Sequence, residues 1–433
     1  MKTYKNIFSY MSNAKCLFSL SHFLGLFLLQ EVVIVGEVNS VIKCDTLIVG
    51  AGVYGHTLGR ILSPKQKVII IDSDSRKRLI SKSYRYSGVI HSGIYYKPDS
   101  LKARFCVQGK ELLYQYCKDH DVECKKIGKL IAANNENEKQ KLMTLMSRGQ
   151  ANKVNNLEIW DSAKAQKVEP NLRCISALYS PSAGIVNGQQ LLSSLSKEID
   201  ATKTSSKMIL NAKIINSEIK NGQFHSSVLF NNIDKDTVAS TYLINVAGFS
   251  APSISKVIKE VPAETIPPEY YALGINFKYM TATPPFKMLV YPAPTDRGLG
   301  IHTIPRLYNN FEFGPYVHYI KSVKHTDDDY KVPSELKNEI RNLFIQEIKK
   351  YYPGLNPTNL RLSVNTTGIL AKTVPEGKQH DFIIQTPKTH GVKNYIALYN
   401  FESPGLTSSM AVAAYVKELL ESFSESSYHN IKK

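Results

Sequence analysis

An α/β fold in two domains is what this 433-residue sequence predicts, and three observations predict it. Near the start, a glycine-rich turn lies between an apolar strand and a helix. A second apolar strand follows and ends in an acid. The second half carries short, aromatic-rich strands separated by Pro and Gly turns. The first two observations describe a Rossmann-like βαβ unit, and the third describes a second, α+β domain built on a mainly antiparallel, half-buried sheet.

In CDTLIVGAGVYGHTLGRIL the apolar run Thr46 to Val49 enters a tight turn at Gly50. Gly52 lets the backbone approach a pyrophosphate, and Gly55 lets the following helix pack close to the strand. The helix N-terminus then faces the phosphates, where free N–H groups and the macrodipole favour negative charge. The strand KVIIID delivers Asp72 to accept hydrogen bonds from a ribose hydroxyl, and its charge disfavours a 2′-phosphate. The expected cofactor is an unphosphorylated adenine dinucleotide.

Downstream, SLKARFCVQGKELLYQYCKDHDV places Leu101, Ala103, Val107, Leu112, Leu113 and Tyr116 at helical spacing. A strand in KKIGKLIAA, a polar helix in NENEKQKLMTLMSRGQANKV, and two turn clusters leading to a further helix follow. Residues 206–249 alternate apolar and polar around a hairpin at Asn221 and Gly222. That stretch ends in LINVAG, Leu243 to Gly248, as needed where a third strand passes beneath a bound dinucleotide. Residues 263–323 are the aromatic strands, 333–352 a helix, and NYIALYNFESPGLTSSMAVAAYVKELLESF a strand, a turn and a closing helix. In ESPGLTSS, Pro404 and Gly405 stand at a helix start and offer N–H groups to an anionic ring.

A hydrophobic share of 43% and a charged share of 21% are those of a globular protein, which argues against disorder and a polytopic membrane chain. The net charge of +17 raises nucleic acid, an anionic membrane surface or acidic substrates as partners. Lys and Arg are dispersed and no nucleic-acid motif accompanies them, so no nucleic-acid partner is expected and membrane-surface association remains. The six cysteines, Cys16, Cys44, Cys106, Cys117, Cys124 and Cys174, form no CxxC pair and no metal-ligand spacing, so reduced, mostly buried thiols and no metal site are expected. The stretch before Cys44 is read as lying outside the fold. Lys2, Lys5 and Lys15 lead there into LFSLSHFLGLFLL, too short to span a bilayer as it stands. A secretory signal, a mitochondrial presequence, a signal-anchor helix and an unprocessed extension all suit this pattern.

Together these segments resemble FAD-dependent oxidoreductases of the D-amino-acid oxidase and glycerol-3-phosphate dehydrogenase type. SGVIHSGIYYKPDSLKARFCVQGKELLYQYC, with SPSAGIVNGQQLL, LVYPAPTDRGLGIHT, FEFGP and FESPGLTSSMAVAAYV, narrows the resemblance to the L-2-hydroxyglutarate dehydrogenase family. It implies FAD rather than NAD. It also implies a discontinuous FAD-binding domain (41–130, 181–262 and 363–433) and a substrate domain (131–180 and 263–362), after a targeting or anchor segment (1–40). Cofactor contacts are then expected from Gly50, Gly52, Gly55, Asp72, Ser83, Arg85, Gly248, Pro404, Gly405, Leu406 and Thr407. The Gly405 to Thr407 backbone would lie against the flavin pyrimidine.

The implied chemistry oxidises a 2-hydroxy dicarboxylic acid and passes electrons to a quinone or an electron-transfer protein. The implied location is mitochondrial, associated with the inner membrane, with a bacterial cytoplasmic membrane or a signal anchor as alternatives. The reaction needs a base, and His91 in VIHSG is the first candidate and His302 in GIHT the second. Arg306, Lys372, Arg85 and Lys278 are candidate carboxylate partners, and Tyr291 and Tyr271 candidate hydroxyl contacts. Departures from the family pattern fall on the substrate side. Tyr86 replaces an Asn, Leu370 stands where an Arg would clamp a carboxylate, and Pro305 and Arg306 follow His302 where an Asp is usual. Either Arg306 compensates for the missing Arg or the substrate has changed, to glycerol 3-phosphate or an amino acid; the losses at Tyr86 and Leu370 also suit a flavin-binding protein without dehydrogenase activity.

Overall fold

The computed structural model describes residues 41–75, 85, 87–295, 298–308 and 310–431, with side chains up to 423. The N-terminal segment 1–40, Ser83 and Tyr86 lie outside the described residues.

The main sheet is built around Val41–Val49, which pairs in parallel with Val68–Asp72 on one side and Asp234–Asn245 on the other. Lys207–Leu210 extends one edge in parallel, and Tyr395–Tyr399 joins the C-terminal end of Asp234–Asn245 in parallel. The hairpin Ala212–Lys220 and Gln223–Phe230 continues the sheet antiparallel beyond the N-terminal half of Asp234–Asn245. Successive residues serve opposite faces, as strand pleating requires. Ile48, Ile70, Ile244 and Ile396 pack under the helices Val53–Leu62, Gly188–Asp200 and Gly405–Ile431, whereas Leu47, Ile69 and Leu243 pack with Phe224 and Val228 of the hairpin. Burial on both faces explains why these strands read as unbroken apolar runs rather than alternating ones.

The first strand starts at Val41, the expected first residue of the FAD-binding domain, and so includes three residues before Cys44 that the sequence reading places outside the fold. Val41 to Lys43 pair with Thr237 to Ala239, but their burial runs exposed, intermediate, exposed. They add backbone pairing without a buried face, so hydrophobicity does not mark them.

Tyr270–Tyr279 centres a second sheet in which Phe311–Ile320, Leu360–Leu362 and Gly368–Lys372 all pair with it antiparallel, and His302–Pro305 pairs antiparallel with Phe311–Ile320. Ile340, Phe344, Ile348 and Tyr351 of the helix Lys337–Tyr351 pack there with Phe277, Phe286, Phe311 and Phe313. A four-stranded sheet, Leu289–Pro292, Lys129–Ala133, Ser176–Ser180 and Glu158–Asp161, lies beside it, parallel only at the first pairing. Its Leu130 and Ala132 join the aromatic core, while Ile131 and Ala133 pack on Leu142 and Leu145 of the helix Glu136–Ala151. Cys44, Cys106, Cys117, Cys124 and Cys174 are free thiols. Among the described residues no helix is long and apolar enough to cross a membrane.

Candidate active site

One continuous cavity of about 2850 Å³ runs from the glycine turn to the start of the last helix. That exceeds the roughly 300–1,000 Å³ of a drug-sized ligand site and leaves room for an extended ligand. At one end Gly50 has φ +114°, and a Cβ there would come within 2.5 Å of the Val246 carbonyl oxygen. Its N–H donates to the Ile71 carbonyl at 2.8 Å, tying the turn to the second strand. A Cβ on Gly55 would overlap the Gly50 carbonyl oxygen, so the helix can lie this close to the strand only with glycine there. Gly52 is the N-cap of that helix, no side chain caps it, and its first turn has no acid, so the N–H groups face the cavity available for an anion. The Asp72 carboxylate accepts from Ala51 N–H at 2.7 Å and Asp74 N–H at 2.8 Å, and it also lines the cavity. It therefore clamps the glycine turn as well as ending its strand. Gly248, at φ +61°, lines the wall just beyond Asp234–Asn245.

Pro404, Gly405, Leu406 and Thr407 line the other end. The Tyr54 hydroxyl donates to the Gly405 carbonyl at 2.8 Å and lies 2.8 Å from Ser408 Oγ. The first and last helices thus start side by side. The helix Leu101–Asp119 comes so close that a Cβ on Gly109 would overlap the Thr407 carbonyl oxygen. Fully buried Thr407 accepts from His91 N–H at 3.1 Å through Oγ1 and donates to the Val89 carbonyl at 3.3 Å. The VIHSG segment and the last helix are stitched together there.

His91 Nε2 lies 3.3 Å from Ser403 Oγ, while its buried Nδ1 has no hydrogen-bond partner. Burial holds this imidazole well below its ordinary value, with Lys129 and His302 adding to the effect. His302 stacks on Tyr291, centroids 3.7 Å apart and planes 7° apart, with Nδ1 3.1 Å from the Thr303 carbonyl oxygen. Burial brings His302 down to about 3. Both rings are therefore neutral near pH 7, the form that can accept a proton. His91, His302, Tyr291 and Tyr95 all face the cavity. Burial raises the Tyr291 hydroxyl above its ordinary range.

The candidate cations divide into two groups. Lys372 Nζ lies 2.6 Å and Lys102 Nζ 3.3 Å from the two oxygens of Glu402, all three largely buried on the cavity wall. Arg85 also lines the cavity; its guanidinium donates to the Thr367 carbonyl and lies 3.8 Å over the Tyr330 ring. Leu370 lines the wall between Gly368 and Lys372. Arg306, Lys278 and Tyr271, by contrast, do not line it. Tyr271 donates to Glu269 at 2.8 Å, and Lys278 stands opposite Glu312 in the neighbouring strand.

Arg306 places Nε at 3.0 Å and Nη2 at 2.7 Å from one oxygen of Glu312, whose other oxygen accepts from Ser363 at 2.9 Å. This guanidinium is committed to a buried carboxylate, which takes it away from the substrate clamp the sequence reading gave it. Arg306→Met should then act on stability, costing on the order of 3 kcal/mol by leaving Glu312 uncompensated. Thermal or urea unfolding of the variant checks this, and an unchanged midpoint with a raised KM would restore the substrate role.

Comparison with known proteins agrees with this geometry. Residues 45–419 match the family model described as FAD dependent oxidoreductase. The chain is 34% identical over 406 residues to the mitochondrial L-2-hydroxyglutarate dehydrogenase of Arabidopsis thaliana, covering 86% of this chain and 83% of that protein. The chain belongs to the L-2-hydroxyglutarate dehydrogenase family of FAD-dependent oxidoreductases. The protein of the same name from Dictyostelium discoideum is 29% identical, with 87% of this chain and 92% of that one covered. Dithionite-reduced L-α-glycerophosphate oxidase of Mycoplasma pneumoniae, solved with FAD bound, shares the fold at a TM-score of 0.74 and 23% identity, covering 88% and 95% of the two chains.

As a member of this family the chain is an FAD-dependent oxidoreductase. The residues present fit FAD, because the Gly50 and Gly55 positions leave no space for a Cβ and two helix N-termini converge on one long cavity. Sequence reasoning missed Tyr54, Ser403, Lys102 and Glu402. Tyr54 and Glu402 lie inside or beside recognised motifs, and that adjacency was the available signal.

Proposed function

We propose that this enzyme oxidises a small 2-hydroxy dicarboxylic acid, L-2-hydroxyglutarate to 2-oxoglutarate, in mitochondria. The observation that carries this reading is the pair of neutral, buried imidazoles, His91 and His302, on a cavity wall that also holds Arg85, Lys102 and Lys372. Bound FAD supplies the hydride acceptor and the route by which electrons reach a quinone or an electron-transfer protein.

The glycine turn at Gly50, Gly52 and Gly55 would hold the pyrophosphate, Asp72 and Gly248 the adenosine half, and the N–H groups of Gly405 to Thr407 the flavin pyrimidine. His91 takes the hydroxyl proton at Nε2, where the substrate hydroxyl takes the place of Ser403 Oγ, 3.3 Å from that nitrogen. The arriving carboxylates raise its proton affinity at that moment, because a nearby anion favours the charged imidazole. Lys372 and Lys102 share one Glu402, so a substrate carboxylate beside them meets net positive charge.

The test is anaerobic bleaching of the flavin by a panel of 2-hydroxy acids, glycerol 3-phosphate and amino acids. L-2-Hydroxyglutarate should bleach it fastest. Failure of L-2-hydroxyglutarate with bleaching by another compound would overturn the substrate while leaving the class intact. Leu370 favours that second reading, since it sets an apolar side chain on the wall where the resemblance leads one to expect an Arg clamp.

A further inference from the structure

Lys129 opens the strand Lys129–Ala133 and is fully buried, yet its Nζ has no hydrogen-bond partner. An isolated buried amine is costly, and burial brings this one down to about 7. Its Nζ lies 3.8 Å from the centre of the Tyr291 ring, and His302 stacks on that same ring at 3.7 Å. Two groups so near one ring centre cannot share a face, so Tyr291 is sandwiched between the amine and the imidazole. Tyr95 widens the stack, its ring 6.3 Å from Tyr291 and 5.4 Å from Nζ. His91 feels the charge of both Lys129 and His302.

We propose that Lys129 is a positioning residue for the two proton-accepting imidazoles, its ammonium acting on His302 through the Tyr291 ring and on His91 across the same buried space. This rests on the reading of His91 and His302 as proton acceptors. A cation over one aromatic face is attracted by the ring quadrupole, and a second cation on the opposite face is repelled by the first. A charged Lys129 therefore adds to the burial that keeps His302 unprotonated while the site is empty of anions. A dicarboxylate entering the cavity favours the charged form of all three groups together, which couples proton acceptance to substrate arrival.

The other titratable groups facing this cluster do not supply that charge. Cys106, from the helix Leu101–Asp119, is pushed up to about 12 by burial despite Lys110 and Lys129 nearby, and so stays a neutral thiol. Tyr95, Tyr96 and Tyr291 are raised above their ordinary range by burial. Glu402, which acts on Tyr96, is paired with Lys102 and Lys372.

The experiment titrates the imidazoles of the flavin-loaded protein by ¹⁵N-histidine NMR in wild type, Lys129→Met, Lys129→Gln and Lys129→Arg. The acid limb of flavin reduction is measured alongside, with whichever 2-hydroxy acid bleaches the flavin. Removing the cation should move the His91 and His302 midpoints up by on the order of one pH unit. The acid limb should move the same way, because a general base with a higher pKa is lost earlier as pH falls. Arg should restore the wild-type values. Midpoints in both neutral variants that coincide with wild type, or an Arg variant that shifts as far as Met, would overturn the proposal. If one neutral variant does not fold, the other still decides. If no 2-hydroxy acid bleaches the flavin, the proposed function fails while the imidazole titration still tests Lys129.

Discussion

Gly55→Ala should yield protein that purifies without flavin and unfolds at a lower temperature. The added methyl would overlap the Gly50 carbonyl oxygen, and Gly50 cannot retreat because its N–H is bonded to Ile71 and Val246 already crowds it. The helix must swing off the strand instead. That moves the N–H groups away from the phosphate position and disturbs the contact from Tyr54 to Gly405 at the far end of the cavity. Overpacking of this kind against backbone costs about 3 kcal/mol. The flavin-to-protein ratio and a thermal melt measure both effects, and a variant retaining full flavin would show that the turn does not bind the cofactor.

The second large effect is expected at His91. Replacing it by Asn keeps a polar group near Ser403 but removes the proton acceptor, so flavin reduction by the accepted substrate should slow by roughly 10²–10⁴-fold. Flavin content and spectrum should stay as in wild type. Since burial holds the imidazole well below its ordinary value, His91 itself should lose no rate to protonation as pH falls from ~8 through the usual imidazole range near ~6.5, and a change in that window reports Lys129, which burial brings down to about 7. Stopped-flow reduction across pH checks both points. A rate within fivefold of wild type in His91→Asn would transfer the role to His302.

The parts of the molecule that could be read early are those whose physics is local. Gly50 needs its φ of +114° for the turn, and Asn221 and Gly222 both take positive φ at the hairpin where the sequence reading puts it. The helix Leu101–Asp119 follows from apolar spacing and ends within a few residues of expectation. Of the aromatic strands of the second half, Tyr270–Tyr279, His302–Pro305 and Phe311–Ile320 form an antiparallel sheet, whereas Leu289–Pro292 joins the neighbouring sheet in parallel. Lys129 shows the opposite case, because a lysine at the start of a strand reads as solvated and nothing nearby in sequence announces burial. Arg306 shows it again. Its partner Glu312 is six residues away, but they meet only because the strands His302–Pro305 and Phe311–Ile320 fold back on each other.

By itself, then, the sequence determined the dinucleotide turn, the order of strands and helices and the chemical types gathered in the family motifs, since turn geometry and periodicity act over a few residues. Only the tertiary structure decided which cations face the cavity, which imidazoles are neutral, and how the helices Val53–Leu62 and Gly405–Ile431 close on one site. Those properties depend on burial and on contacts between distant segments, such as the 2.8 Å bond from Tyr54 to Gly405 across 351 residues of chain. Such contacts leave no local trace because the free energy that holds them is shared among layers of the core, not written in any one stretch.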